Sequence, residues 1–244
     1  MRDKDRLYAT LVDEVKDFVF DERVVHVFPD MINRSVPGYG LIVPMAGLLA
    51  RHYAQDNSTL YDLGCSLGAV ALAMSQAVKA ENARILAVDN SPAMIDRLQE
   101  MLAMDPAAAA TPIEAVCEDV CKTAIEDASV VVMNFTLQFL PPASRLPLLR
   151  RIASGLRPGG ILLLSEKIRF EQPREQALQT EWHHDFKRAQ GYSELEIAAK
   201  RDALENVMKP DSLATHRRRL VEAGFSETYQ WFQALHFVSL VSIK

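Results

Sequence analysis

Only three cysteines, Cys65, Cys117 and Cys121, occur in the 244 residues. An odd, low count excludes a disulfide framework and fits a reducing compartment. No apolar run approaches the roughly 18–20 residues that a membrane span needs. The opening MRDKDRLYAT lacks the apolar core of a secretory signal, so a cytoplasmic protein away from membranes is expected. Basic residues are not in excess: 27 Lys and Arg against 32 Asp and Glu leave a net charge of -5. General nucleic-acid binders show the opposite balance, so direct nucleic-acid contact is not required. Internal repeats are missing too. The alanine run at 107–110, between Pro106 and Pro112, reads as a loop. What is present is ordinary for a globular chain: 49% hydrophobic and 24% charged residues. The length fits one domain over residues 1–244, with room for an insert.

Up to about residue 56 the pattern is helical and reads as a cap, broken at Pro29 and at a Pro37-Gly38 turn. Pro44 should lie early in the second cap helix, which carries Met45, Leu48 and Leu49. Strands are predicted for TLYDL (59–63), RILAVD (84–89), PIEAVCED (112–119), SVVVMNF (129–135) and ILLLSEK (161–167). Helices are predicted over 69–80, 93–104 and 145–156. Ser91-Pro92 supplies a hydroxyl N-cap and a proline at the first helical position, and Arg157-Pro158-Gly159-Gly160 a stop. This alternation predicts an α/β fold with a doubly wound, mostly parallel sheet. About residues 172–223 the alternation gives way to a helical insert, with helices over 175–190, 194–207 and 211–223. YQWFQ (229–233) and HFVSLVSI (236–243) then predict an antiparallel C-terminal hairpin at the sheet edge, for seven strands in all.

Ligands of such sheets sit beyond the carboxyl ends of the strands, near the point where strand order reverses. The first such segment is Asp62-Leu63-Gly64-Cys65-Ser66-Leu67-Gly68. Its glycines allow close backbone approach, and the helix behind it offers free amides; a tight strand-to-helix turn would look the same. A pyrophosphate site needs G-x-G-x-x-G, and Ser66 stands in the way. Asp89 closes the second strand, where a carboxylate can accept both hydroxyls of a ribose. It could instead cap the next helix, but Ser91 fills that position. Asp119 closes the third strand, suited to an adenine amino group or to solvent. Asn134 closes the fourth, where its amide can both donate and accept. Together these suit an adenosine without a pyrophosphate.

This pattern resembles the class I S-adenosylmethionine-dependent methyltransferase fold over residues 59–167 and the hairpin. The blocks VFPDMINRSVPGYG, YDLGCSLGA, DNSPAMI, NFTLQFL, LSEK, HHDFKRAQGYSELEI and LENVM resemble, more specifically, the carboxy-S-adenosylmethionine synthase family from residue 20 to 242. Most methyltransferases carry a third glycine where this chain has Ser66, and GCSLG is the family's own form. The segment TPIEAVCED departs from the family's usual third strand.

The resemblance implies that S-adenosylmethionine and prephenate are substrates. Prephenate loses carbon dioxide and hydroxide as it aromatises to phenylpyruvate. The sulfonium methyl loses a proton, and the resulting ylide captures the carbon dioxide. The product, carboxy-S-adenosylmethionine, passes to a separate tRNA uridine carboxymethyltransferase, which makes uridine 5-oxyacetic acid at the wobble position. Carried over by position, the ligand contacts fall on Tyr39, Gly64, Cys65, Ser66, Asp89, Asn90, Asp119, Val120, Asn134 and Arg201. A guanidinium at Arg201 suits the carboxylate that distinguishes product from substrate, so Arg201 is the implied catalytic residue; from the sequence alone it reads as a solvated helix arginine. Family members are homodimers, which allows Arg201 to serve the neighbouring subunit. No metal is implied. A methyltransferase acting on a small molecule or RNA base, and a non-catalytic S-adenosylmethionine binder, remain as alternatives.

Other groups read as structural. Adjacent His183 and His184 point in different directions on a helix, and Cys117 and Cys121 lack further zinc ligands. Cys65 has no evident base partner. THRRRL at 215–220 reads as a solvated helix end.

Overall fold

The computed structural model describes residue 5, residues 21–105 and residues 109–244. The helical pattern expected before residue 21 lies outside these. Of the alanine run, Ala109 and Ala110 are described, and neither is in a helix or strand.

Seven strands form one sheet: β1 (Thr59–Leu63), β2 (Arg84–Asp89), β3 (Ile113–Cys117), β4 (Ala128–Asn134), β5 (Leu156–Lys167), β6 (Glu227–Ala234) and β7 (Phe237–Ile243). Their order is β3-β2-β1-β4-β5-β7-β6. β1 to β5 pair in parallel, while β7 runs antiparallel to β5 and to β6. Strand order reverses between β1 and β4, which opens a crevice beyond their carboxyl ends. The continuous apolar run of β4 has a direct reason. Val131 and Met133 enter the core on one face, and Val130 and Val132 enter the core on the other. In β5, Leu162 and Leu164 divide from Ile161 and Leu163 in the same way. A side-chain period of two with both faces covered leaves no polar position.

Helices α3 (Ala69–Ala77), α4 (Pro92–Met104) and α5 (Pro142–Gly155) are the crossovers between parallel strands. Ser91 caps α4 as predicted, its Oγ accepting from the Met94 amide at 3.3 Å. The Arg157–Gly160 stretch belongs to β5. There the pairing jumps from Ala128↔Leu156 to Val130↔Ile161, an irregularity that accommodates Gly159 at φ 74°.

The cap begins with α1 (Glu22–Ser35) and α2 (Tyr39–Tyr53). Gly38, at φ 84°, makes the turn between them. The expected break at Pro29 is absent, and α1 runs through it. An interior proline costs a helix about 3 kcal/mol, which cap and packing offset here. Asp21 accepts from the amides of Arg23 and Val24. The Asn33 side-chain amide donates to the Pro29 carbonyl at 2.7 Å. Val24, Val25 and Met31 pack with Met94 and Ala203. Between β5 and β6 stand α6 (Pro173–Ala189), α7 (Glu194–Glu205) and α8 (Leu213–Ala223). No helix among the described residues is long and apolar enough to cross a membrane.

Candidate functional site

A cavity of about 360 Å³ lies at the strand-order reversal. Tyr39, Gly64, Cys65, Ser66, Asp89, Asn90, Asp119, Val120 and Asn134 all line it. They come from α2, from the last residues of β2 and β4, and from the segments that follow β1, β2 and β3.

The turn after β1 is built for close approach. Gly64 has φ 82°, and a Cβ there would collide with the Thr136 side chain. Gly68 has φ 75°, and a Cβ there would lie 2.6 Å from Leu98 Cδ1. Between them Ser66 occupies the left-handed region at φ 50°, a conformation that costs a non-glycine residue about 1–2 kcal/mol. The Ser66 amide donates to Asp89 Oδ2 at 2.9 Å, and the Ser91 amide donates to Asp89 Oδ1 at 2.9 Å. Asp89 therefore joins the glycine turn to the entrance of α4, and each oxygen retains a lone pair for a ligand. Burial pushes its carboxyl upward, against the pull of those amides.

Asp119 stands two residues beyond the end of β3 and accepts from the Cys121 amide at 2.8 Å. The Val120 carbonyl accepts from Arg151 at 2.9 Å, which fixes the loop. Asn134 Oδ1 is buried and has no partner among the described residues. An unmet buried acceptor costs about 1–3 kcal/mol, and a ligand donor in the cavity would remove that cost. Tyr39, the first residue of α2, packs beside Val36, Ile42, Phe135 and Phe237. It thus serves apolar packing and cavity wall together. Burial, then Asp62 and Asp89, hold the Cys65 thiol well above its usual range, so it is no thiolate nucleophile.

Arg201 lies elsewhere. It sits on α7 with its side chain 63% exposed, bonded to Asp202 at 3.0 Å. Its neighbour Lys200 lines the cavity. Successive helix positions are about 100° apart, so an inward Lys200 turns Arg201 outward from its own chain's cavity.

Sequence reasoning missed several lining groups. Asp62 is 1% exposed and accepts from the Ala71 amide at 2.9 Å. Burial raises it to about 7, against that amide and helped by Asp89. Gln138 Oε1 accepts from the Lys167 amide at 2.9 Å. Lys167, Lys187 and Lys200 line the end of the cavity nearest β5, with His183. His183 Nε2 meets the Ser35 carbonyl at 2.8 Å, and burial with Lys187 and Lys167 nearby drives its pKa down to about 2. Asp185 faces instead toward Arg188, so this His-His-Asp run does not converge. The spacing of His183 and Lys187, four residues apart on one helix face, is the signal that could have revealed them. THRRRL lies within α8, where Arg219 turns inward to Asp211 at 2.8 Å.

A family model described as a methyltransferase domain matches residues 60–160. Among solved structures, a putative O-methyltransferase from Nostoc punctiforme aligns with TM-score 0.61 at 17% identity, covering 91% of this chain and 60% of that one. Human N-acetylserotonin methyltransferase in complex with SAM gives 0.60 at 16%, covering 91% and 55%. This chain thus spans little more than half of those proteins, and the likeness is one of fold: the S-adenosylmethionine-dependent methyltransferase fold. Relatives in sequence are much nearer. The carboxy-S-adenosyl-L-methionine synthase of Trichlorobacter lovleyi is 58% identical over 240 residues, 98% of each chain. That of Geobacter sp. strain M21 is 57% identical over 243 residues, 100% of this chain and 99% of that one. That of Vibrio cholerae is 52% identical over 244 residues, 100% and 98%. With identity at this level from end to end, the chain belongs to the carboxy-S-adenosyl-L-methionine synthase family.

Proposed function

We propose that the cavity takes S-adenosyl-L-methionine and prephenate and releases carboxy-S-adenosyl-L-methionine and phenylpyruvate. The observation that carries this reading is the convergence of nine residues, from five separate segments, on one cavity at the strand-order reversal. Asp89 offers two free lone pairs to a ribose, the Gly64 turn admits a ligand against backbone, and Asn134 Oδ1 awaits a donor. Asp62, Asp89 and Asp119 are acids that line the cavity and can face a cationic ligand here. S-adenosylmethionine, with its sulfonium and ammonium, is such a ligand.

The conversion balances without a further reactant. Prephenate gives up its ring carboxylate as carbon dioxide and its ring hydroxyl as hydroxide. A carbon–carbon bond joins the carbon dioxide to the sulfonium methyl carbon, and the displaced proton combines with the hydroxide as water. The protein's own share is to bind both substrates in one closed space, which replaces a bimolecular encounter by an arranged one.

The product is the donor for a separate tRNA uridine carboxymethyltransferase, so this chain acts in the cytoplasm upstream of the tRNA. It works as one domain whose cap and insert roof the cavity. In a homodimer, the outward Arg201 reaches the partner's cavity and holds the new carboxylate. The test is phenylpyruvate formation from prephenate above the uncatalysed rate. Acceleration that requires S-adenosylmethionine is expected. No acceleration from folded, S-adenosylmethionine-binding protein would overturn the reading, and release of S-adenosylhomocysteine would favour a methyltransferase.

A further inference from the structure

Charge is divided along the cavity. Asp62, Asp89 and Asp119 stand at or beyond the ends of β1, β2 and β3, on one side of the strand-order reversal. Lys167 ends β5 on the other side, and Lys187 of α6 and Lys200 of α7 join it. Asn134, at the end of β4, lies between the two groups.

The three ammoniums are not equivalent. Lys200 is 5% exposed and is provided for: its Nζ donates to Ser35 Oγ at 2.9 Å and lies 3.6 Å from Asp5 Oδ2. Lys187 is 8% exposed, and its ammonium has neither hydrogen bond nor ion pair among the described residues. The partly exposed Lys167 ammonium is likewise without a partner among them. Buried cations are ordinarily paired, because an unpaired one forfeits its hydration for nothing. Lys187 is such a buried cation, Lys167 is a half-buried one on the same cavity wall, and a bound anion would supply the partner that both lack. Burial, then Lys200 and Lys167, lowers Lys187 to about 7, and burial lowers Lys167 to about 8.

We propose that Lys167 and Lys187 form a carboxylate-binding subsite that receives the second substrate, a small organic dianion, at the β5 end of the cavity. S-adenosylmethionine is a poor occupant of this end, since its sulfonium and ammonium leave it a net cation and its single carboxylate cannot meet two ammoniums. The naming of that dianion as prephenate, with its two carboxylates, rests on the function proposed above. The subsite itself rests on the two unpartnered lysines.

Calorimetry on the full-length protein tests it, first with S-adenosylmethionine alone and then with prephenate added to protein loaded with S-adenosylhomocysteine, which has no sulfonium methyl and so lets prephenate bind without turnover. The variants are Lys187→Met, Lys167→Met and Lys187→Arg. Each methionine variant should weaken prephenate about 10- to 150-fold, the range for a charge-assisted bond, and leave S-adenosylmethionine within about threefold. Lys187→Arg should recover part of the loss, because charge is kept while shape changes. Both methionine variants should melt at or above the wild-type temperature, which separates a lost contact from a lost fold. Unchanged prephenate affinity in both variants, or equal loss for both ligands, would overturn the subsite. Wild type that binds prephenate in a lysine-dependent way but forms no phenylpyruvate when S-adenosylmethionine is supplied would overturn the synthase function and leave the subsite standing. Wild type that binds no prephenate at all would overturn both.

Discussion

Replacing Asp89 by alanine separates the two tasks that its carboxylate performs. In the free protein the side chain accepts from the amides of Ser66 and Ser91, each at 2.9 Å. A hydrogen bond to a charged group contributes about 1.5–3 kcal/mol. Asp89 is only partly buried, so the pair together should be worth about 2–3 kcal/mol of stability. In a domain of this size each kcal/mol moves the melting temperature by about 2–4 °C, so a fall of roughly 4–12 °C is expected without ligand. The second task, under the function proposed above, is to hold the ribose. Loss of two hydrogen bonds to a charged acceptor should cost a further 2–5 kcal/mol or so, or roughly 30- to several-thousand-fold in affinity for S-adenosylmethionine. Asp89→Asn sharpens the distinction. Its carbonyl keeps one amide bond and its NH2 opposes the other donor, so stability should fall by about half as much while affinity still drops at least tenfold or so. Thermal melting with and without ligand, together with calorimetry, reads both quantities. Wild-type affinity in the folded alanine variant would remove Asp89 from the ligand site and leave it a purely structural group.

Glu166 offers a test by pH. It is 1% exposed, and burial raises it to about 8 despite the amide of Leu137 and nearby Arg145. A carboxyl whose folded pKa exceeds its unfolded value stabilises at low pH. That contribution is lost as pH climbs from about 4.5 toward 8. Urea melts should show wild-type stability declining over this range by an amount on the order of a few kcal/mol, and Glu166→Gln flattening the decline; an unchanged slope would contradict the burial argument. Arg201→Ala should weaken carboxy-S-adenosylmethionine about 10- to 150-fold more than S-adenosylmethionine, with a wild-type melting temperature because the side chain is exposed. Equal affinities for the two ligands in wild type and variant alike would return Arg201 to an ordinary surface residue.

The parallel sheet was legible because its central strands β1 and β4 are buried on both faces, and β4 has no polar position from Val130 to Met133. The Ser91-Pro92 helix start was legible because capping chemistry is local. Gly64, Asp89, Asp119 and Asn134 were legible from spacing because strand ends in this architecture converge on one crevice, whereas Tyr39, Cys65, Ser66, Asn90 and Val120 were implied only by the family resemblance. The rest depends on tertiary context. Pro29 reads as a break, and packing against Met94 and Ala203, with the Asp21 cap, carries α1 through it. Asp62 sits mid-motif at the end of an apolar strand, and no local pattern says that its carboxylate is buried. Lys187 and Lys200 lie on polar helices, where lysine is solvated by default. Their inward direction follows from how α6 and α7 lie over the sheet. The outward direction of Arg201 follows from the same placement.

The central claim is that a carboxyl group moves from prephenate to the sulfonium methyl of S-adenosylmethionine within this cavity. Prephenate isotopically labelled in its ring carboxylate tests that directly. The purified protein is incubated with it and unlabelled S-adenosylmethionine, and the nucleoside product is weighed. The account predicts a product heavier than S-adenosylmethionine by one labelled carbon dioxide, formed in step with phenylpyruvate. A nucleoside of unchanged mass alongside accelerated phenylpyruvate formation, or an unlabelled carboxyl group in the product, would contradict it.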